Sequence, residues 1–303
     1  MRLVTVAVAG GQRAGIELAP GRVFDLGAAA GNAEGPAADA LRSGDLQIII
    51  EAGPDALALA GELAAQANQS AILTQYQLLA PLPKPAKNVF CVGRNYAAHV
   101  AEGDRAQKQN VGVSEHPVFF TKPRTAVIGP GAEIPIFPHV STSIDYEVEL
   151  ALVIGKAGRD IRPENAFDHI MGYTIANDIS ARDIQRRHGG QYFKGKGLDG
   201  SCPLGPCIVT ADDISDPQDL AISLTVNGEL RQNDRTSMLI FDIPTLIASL
   251  SAGMTLEPGD IIATGTPSGV GYAMEPPQFL KDGDVVVCEI ETIGKLENVC
   301  RTQ

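Results

Sequence analysis

The sequence predicts a β-rich α+β protein in which a mixed sheet, closed or sandwiched, follows a small N-terminal α+β module. After residue 88, short apolar strands alternate with Gly/Pro turns and convincing helices are few. The chain has 303 residues, 44% hydrophobic and 20% charged, which is enough for one large β-rich domain plus a small one. The spacing of the strands argues against a repeated βαβ arrangement.

The small module is predicted over residues 1–80. Two strands are expected, Leu3–Val8 and Gly15–Leu18, with a turn at Gly10-Gly11 between them. Two Ala-rich helices are expected over 36–42 and 54–69. The stretch PLPKPAK, 81–87, has three prolines at alternate positions and predicts a stiff linker. The module contains no His or Cys, so no catalytic role is expected for it.

The larger domain is predicted over residues 88–303. Its expected strands are Asn88–Val92, Val118–Thr121, Glu147–Ile154, Tyr173–Asn177, Leu220–Val226 and Val285–Ile290. The best helices are Ile179–Arg187 and Ile243–Ser249. Neither an internal repeat nor a low-complexity tract beyond the Ala-rich segments is found.

Charge and cysteine content exclude several classes of protein. Acidic residues outnumber basic ones by 36 to 24, and the net charge of −12 argues against a nucleic-acid or anionic-membrane surface. No apolar run reaches about 18 residues, so no transmembrane helix is expected. The start MRLVTVAVAGG alternates like a strand and is not typical of a signal peptide. Five cysteines without a CxxC pair indicate reduced thiols and a cytoplasmic protein.

The strand DYEVELALVIG places Glu147 and Glu149 on one face, because side chains alternate along a strand. Two carboxylates in one buried pocket require a proton or a cation, and a hard divalent ion is the usual solution. An exposed face with two solvated glutamates is the alternative, and this pattern alone favours it. Asp178, at a predicted strand end, offers a third carboxylate, although an N-cap is the alternative there.

Two further patterns indicate acid–base chemistry. In GRNYAAHVAEG, His99 and Glu102 are three residues apart and share a face on a helical turn, as a general base and its orienting carboxylate would. A surface ion pair is an equally good interpretation. The polar stretch that follows, to about Ser114, is typical of a loop that closes over a site. Lys196 lies among glycines that let a substrate approach the backbone.

Two glycine-rich segments suggest anion binding. GQYFKGKG half-matches a P-loop, but Gly197 stands where a Ser or Thr should bind Mg²⁺, so we reject the nucleotide hypothesis. In GDIIATGTPSGVG, 259–271, the hydroxyls of Thr264 and Thr266 and the free amides would suit a carboxylate. An ordinary glycine turn is the alternative there, and the segment alone favours it.

Taken in order, six motifs from Asn88 to the C-terminus resemble the fumarylacetoacetate hydrolase family: GRNYAAH, FFTKP, DYEVELALVIG, GYTIANDISARDIQ, KGKGLDGSCPLGP and ATGTPSGVG. The resemblance implies a mixed β-roll, a homodimer and a catalytic domain over 88–303. A fourth acidic ligand of the larger fumarylacetoacetases is missing, since Val92-Gly93 stand in that neighbourhood. The chain therefore resembles the smaller branch of acylpyruvases and 2-hydroxyhepta-2,4-diene-1,7-dioate isomerases.

The resemblance also implies roles for individual residues. Mg²⁺ or Mn²⁺, with Ca²⁺ as a substitute in vitro, would be bound by Glu147, Glu149 and Asp178. The catalytic group would be His99 with its partner Glu102, and Lys196 in preference to Lys194. Substrate contacts would come from Arg182, Gln185 and Thr266.

The implied activity is hydrolysis of a C–C bond in a 2,4-dioxo acid, an acylpyruvate such as fumarylpyruvate or maleylpyruvate, in aromatic-compound breakdown. His99 would activate a water, and the metal and Lys196 would stabilise a pyruvate enolate. Three alternatives keep the same metal site: decarboxylation of an oxaloacetate-like acid, isomerisation of a 2-hydroxy-dienedioate, and dehydration of a sugar-derived 2-oxo acid. A metal-binding protein without catalysis is the remaining alternative.

Overall fold

The structure, a computed structural model, describes residues 1–66 and 69–303. The strands are β1 (Arg2–Val8), β2 (Gly11–Ala19), β3 (Arg22–Asp25), β4 (Ile72–Leu73), β5 (Gln77–Leu78), β6 (Val89–Gly93), β7 (Val118–Lys122), β8 (Val127–Ile128), β9 (Glu133–Ile136), β10 (Ile144–Asp145), β11 (Val148–Ile154), β12 (Ile170–Asn177), β13 (Ser180–Ala181), β14 (Cys202–Thr210), β15 (Ala221–Val226), β16 (Glu229–Arg235), β17 (Ile261–Ala263), β18 (Val285–Ile290) and β19 (Gly294–Thr302). The helices are α1 (Leu26–Ala30), α2 (Pro36–Arg42), α3 (Leu46–Glu51), α4 (Pro54–Ala65), α5 (Ala97–Gln107), α6 (Arg182–Arg187), α7 (Phe193–Lys196) and α8 (Ile243–Ser251).

The strands form one large mixed sheet and two smaller ones. The large sheet has the order β4-β3-β2-β1-β14-β12-β11-β17-β6-β7, with β5 beside β1 and β8 beside β14. A five-stranded sheet runs β16-β15-β18-β19-β9, and β10 pairs with β13. Most pairs are antiparallel, whereas β17 with β6, β14 with β8 and β19 with β9 are parallel. The predicted β-rich α+β class with a mixed sheet is confirmed.

Strand β11 lies inside the large sheet, between β12 and β17, and is buried along its whole length. One face carries Leu150, Leu152 and Ile154, which belong to the core cluster shared with the five-stranded sheet. The other face carries Ala151 and Val153, which belong to a second cluster shared with the N-terminal helices. A strand covered on both sides reads as a continuous apolar run, as LALVI does here.

The N-terminal hairpin is confirmed, with Gly10 and Gly11 both at positive φ in its turn. Its strand β1 pairs with β14, so strands from before and after the predicted linker 81–87 belong to the same large sheet. The division into 1–80 and 88–303 therefore stays a prediction. Helix α4 ends at Ala65, earlier than the predicted 54–69, of which residues 67–68 lie outside the described part of the chain.

The predicted helix Ile179–Arg187 begins too early. Ser180–Ala181 pair instead with Ile144–Asp145, and the helix begins at Arg182. Tertiary strand pairing therefore overrides the local helical pattern at these residues. Helix Ile243–Ser249 is confirmed and extends to Ser251.

Candidate functional site

The three predicted metal-binding carboxylates lie together. Glu147 directly precedes β11, Glu149 is its second residue, and Asp178 directly follows the neighbouring strand β12. Val148 pairs with Asn177, which brings the start of one strand next to the end of the other. One carboxylate oxygen from each of the three residues lies within 4.8 Å of the others, and all three side chains are buried. The alternatives of solvated glutamates and an N-cap aspartate are therefore wrong.

Two buried lysines neutralise part of this cluster. Lys196 Nζ donates to Glu147 Oε2 and to Asp178 Oδ2, each at 2.6 Å. Lys122 Nζ donates to Asp178 Oδ1 at 2.6 Å, to the carbonyl of Ile179 at 3.0 Å and to the carbonyl of Lys196. Lys196 lies at the end of α7, so a short helix, and not only glycine, sets its position.

Arg182 is the third cation, and it contacts Asp145 and Glu147. Its Nε donates to Asp145 Oδ2 at 2.9 Å and its Nη2 to Glu147 Oε1 at 2.5 Å. Gln185 Oε1 accepts from Nη1 at 3.3 Å. Burial by itself would raise the pKa of Glu147, but the charges of Arg182 and Lys196 outweigh it and hold that pKa well below its ordinary value.

Glu149 has the opposite environment. Among the described residues it forms no ion pair, and the amide of Gly265 donates a hydrogen bond to its Oε2 at 2.8 Å. Burial, followed by the charges of Asp178 and Glu147, raises its pKa well above the ordinary value. Without a divalent ion, this carboxyl therefore keeps its proton to a higher pH than an ordinary glutamate does.

His99 and Glu102 form the predicted pair on one face of α5. His99 Nδ1 lies 2.9 Å from Glu102 Oε1, and both side chains are buried. The amide of Gly269 donates to both carboxylate oxygens of Glu102, at 3.1 and 2.9 Å. Gly269 has φ +111°, and a Cβ there would lie 1.9 Å from the carbonyl oxygen of Arg231, so only glycine fits. The pair is not a surface ion pair.

The threonines of the glycine-rich loop are engaged within the protein. Thr264 Oγ1 donates to the carbonyl of Leu150 and Thr266 Oγ1 to the carbonyl of Val148, both at 2.9 Å. Thr266 Oγ1 also accepts from Gln232 Nε2 at 2.8 Å. The loop amides of Gly265 and Gly269 bind Glu149 and Glu102. This loop holds site residues in place, and substrate contact through Thr266 stays a prediction.

Most of the site residues, but not Glu102 or Asp178, border one cavity of about 290 Å³, near the lower end of the roughly 300–1,000 Å³ typical of ligand pockets. Of the predicted site residues, the walls include His99, Glu147, Glu149, Arg182, Gln185, Lys196 and Thr266. Gln107, Gln109 and Val111 form another part of the wall, so the segment after His99 borders the cavity. The cavity is therefore small and rich in charge.

Sequence reasoning assigned no role to Lys122, Asp145 or Tyr272. Lys122 ends the apolar strand VFFTK and is fully buried. A lysine at the end of an apolar strand is the sequence feature that could have indicated a buried, paired charge. Asp145 accepts from the amides of Gly271 and Tyr272 as well as from Arg182. The ring of Tyr272 packs against Arg182, whose Cζ lies 4.4 Å from the ring centroid.

The donor set fits a divalent ion. The buried cluster contains four carboxylates, Asp145 included, against the cations Arg182, Lys122 and Lys196. Carboxylate oxygens are the ligands that Mg²⁺, Mn²⁺ and Ca²⁺ prefer. Glu147, Glu149 and Asp178 could therefore bind a divalent metal.

Residues 88–301 match the family described as fumarylacetoacetate (FAA) hydrolase, C-terminal. The chain belongs to this family. It is 51% identical to oxaloacetate tautomerase YisK of Bacillus subtilis (strain 168) over 227 residues, 75% of this chain and 73% of the relative. The family resemblance predicted from the six motifs is thus confirmed.

Solved structures of the family have the same fold. A fumarylacetoacetate hydrolase from the psychrophile Exiguobacterium antarcticum matches with a TM-score of 0.82 and 40% identity, covering 100% of both chains. Maleylpyruvate hydrolase from Sphingobium sp. SYK-6, solved with manganese(II) and pyruvate, matches with a TM-score of 0.77 and 33% identity, covering 100% of this chain and 99% of the other.

The predicted homodimer, cytoplasmic location and small-molecule acid substrate stay predictions, and some relatives are mitochondrial proteins. Within the described residues, no helix is both long and apolar enough to cross a bilayer.

Proposed function

We propose that this protein interconverts the keto and enol forms of oxaloacetate with a divalent ion bound by Glu147, Glu149 and Asp178. One observation carries the proposal: in a chain 51% identical to an oxaloacetate tautomerase over 227 residues, His99, Glu147 and Glu149 border one cavity. Glu102 contacts His99 from behind this wall, and Asp178 lies beside the two glutamates. Tautomerisation needs a group that removes a proton beside a carbonyl and a means of stabilising the enolate that results, whose oxygen then takes a proton from water to give the enol.

His99 is the group that moves the proton. Its Nδ1 contacts Glu102, so Nε2 is the ring nitrogen left to exchange a proton with carbon 3 of the substrate. Glu102 is fixed by Gly269 and stabilises the imidazolium that forms when His99 accepts the proton. Positioned general bases contribute about 10²–10⁴-fold to reaction rates.

The base of the cavity stabilises negative charge. A divalent ion bound by the triad supplies a Lewis acid for the charge that develops on the 2-oxo oxygen. Lys196 adds a second positive charge beside the triad. Arg182, oriented by Asp145, holds Glu147 in position, and its guanidinium borders the same cavity.

Hydrolysis of an acylpyruvate is the second candidate, and the likeness to maleylpyruvate hydrolase favours it. That reaction would use the same base to activate a water molecule. A product panel separates the candidates: oxaloacetate and acylpyruvates are supplied with Mg²⁺ or Mn²⁺, and tautomer exchange, CO₂ and pyruvate are measured. We expect oxaloacetate exchange about a hundredfold or more above the metal ion alone. Faster release of pyruvate from an acylpyruvate, without CO₂, would favour the hydrolase, and dominant CO₂ release a decarboxylase.

A further inference from the structure

Among the residues that the structure describes, one cation on the cavity wall has no anionic partner. Arg94, Arg182, Arg186 and Lys196 all border the cavity. Arg94 pairs with Asp104 at 3.0 Å, and Arg182 and Lys196 pair with the buried carboxylates. Within residues 1–66 and 69–303, Arg186 forms no ion pair, and its side chain is exposed at the mouth of the cavity.

Arg182 and Arg186 are held on the same side of α6. They are four residues apart, and their Cζ atoms lie 4.4 and 5.4 Å from the centroid of the Tyr272 ring. Two like charges at this spacing repel unless anions compensate them. Asp145 and Glu147 compensate Arg182, whereas Arg186 is left to attract an anion that enters the cavity.

We propose that Arg186 binds a second carboxylate of the substrate, so that the cavity selects dicarboxylic over monocarboxylic 2-oxo acids. This deepens the proposed function and rests on it for the placement of the reacting end at the triad. A guanidinium suits a carboxylate because it donates two parallel hydrogen bonds. The net charge of −12 repels anions elsewhere, so a local cation is needed to attract a doubly charged substrate. The small cavity favours a short molecule that spans from the triad to Arg186.

The test uses two unreactive 2-hydroxy acids of the same chain length. Malate ends in a carboxylate and 2-hydroxybutyrate in a methyl group. The ratio of their affinities therefore measures how much the second carboxylate contributes to binding. Both are titrated by calorimetry into the full chain loaded with Mg²⁺ or Mn²⁺. We expect the wild type to bind malate about tenfold more tightly than 2-hydroxybutyrate. Solvent screens an exposed contact, so this contact contributes only part of the free energy of a charged hydrogen bond.

Arg186→Gln should lose this preference and leave the affinity for 2-hydroxybutyrate unchanged, and Arg186→Lys should keep part of it. Arg187→Gln is the matched control: Arg187 is the next residue, is exposed, does not border the cavity and lies 3.9 Å from Asp183. It should retain the full preference. Both positions are exposed, so all variants should melt close to the wild type.

Three results would overturn the inference: a wild type without preference for malate, an Arg186→Gln variant that keeps it, or equal losses in both glutamine variants. The last would indicate general attraction of anions by positive charge. If Arg186→Gln loses the preference while the wild type leaves oxaloacetate tautomers unaffected, the proposed reaction fails and the dicarboxylate site stands. Tautomerase activity with an unchanged preference would give the opposite conclusion.

Discussion

Glu147 and Glu149 lie two residues apart beside the same cavity, yet their replacement by glutamine should affect the metal-free protein in opposite directions. Glu147 is the partner of two buried cations, Arg182 at 2.5 Å and Lys196 at 2.6 Å. Glu149 has no cationic partner among the described residues and receives one amide hydrogen bond, from Gly265. Glutamine keeps the shape of each side chain and removes its charge.

For Glu147→Gln we expect a large loss of stability. Removing one partner of a buried ion pair costs about 3–5 kcal/mol, because the other charge stays buried without compensation. For 303 residues, at about 2.1 cal/mol/K of unfolding entropy each, that corresponds to a fall in Tm of roughly 5–8 °C.

For Glu149→Gln we expect the metal-free protein to be at least as stable as the wild type at pH 7. Burial, then the charges of Asp178 and Glu147, raise the folded pKa of Glu149 above its ordinary 4.5. As the pH rises from 4.5, the unfolded chain releases a proton that the folded chain retains, so wild-type stability falls until the pH passes the folded pKa. Glutamine carries no such proton, and the difference between variant and wild type should shrink towards pH 4.5.

The assay is chemical denaturation of chelator-treated protein at pH 5 and pH 7, with metal affinity measured in parallel by calorimetry. Both variants should lose most of their affinity for Mg²⁺ and Mn²⁺. The two substitutions would then have the same effect on metal binding and opposite effects on the free energy of unfolding. Equal destabilisation by Glu147→Gln and Glu149→Gln would refute the assignment of one paired and one unpaired carboxylate.

Three further predictions concern the same site. Glu102→Gln should lower the rate of oxaloacetate tautomerisation by about 10²-fold and leave metal affinity unchanged, since Glu102 acts through His99. Steady-state kinetics measures the rate and calorimetry the metal affinity. A loss of metal affinity in this variant would contradict the prediction. Lys122→Met should lower the free energy of unfolding by about 3–5 kcal/mol in denaturation experiments, whereas the exposed control Lys84→Met should change it by less than about 0.5 kcal/mol. Affinity for Mg²⁺ should rise with pH, because the Glu149 carboxyl must lose its proton before it can bind the ion. Calorimetric titrations in buffers of different ionisation enthalpy should detect the released proton. An affinity for Mg²⁺ that does not change with pH would contradict this.

The sequence predicts those features that depend on local pattern. Alternation along DYEVELALVIG places Glu147 and Glu149 on one face, and helical spacing brings His99 to Glu102. The family motifs add Asp178, Arg182 and Lys196. The structure places Arg182 and Lys196 on the wall of one cavity with Gln185 and Thr266, and Asp178 beside Glu147 and Glu149. These contacts are either close in sequence or marked by a family motif.

What the sequence does not predict depends on contacts between distant segments. Lys122 reaches Asp178 because β7 and the end of β12 converge, and no local pattern indicates that meeting. The helical pattern of Ile179–Arg187 extends through Ser180 and Ala181, but pairing with β10 makes those two residues a strand. The loop amides of Gly265 and Gly269 looked free in sequence and are bound to Glu149 and Glu102.

The reaction itself is the least predictable part from sequence. Hydrolysis, decarboxylation and tautomerisation all use a base, a divalent ion and stabilisation of an enolate, so the same residues serve each of them. The acylpyruvate hydrolase activity therefore stays a prediction, and identity to an oxaloacetate tautomerase is what favours the proposed reaction.

The most direct test of the central claim is a stopped-flow measurement of enol absorbance after oxaloacetate is mixed with the protein. We expect protein loaded with Mg²⁺ or Mn²⁺ to accelerate the approach to the keto–enol equilibrium, and chelator-treated protein and the His99→Asn variant to leave its rate unchanged. Equal rates with loaded wild type, His99→Asn and the metal ion alone would contradict it.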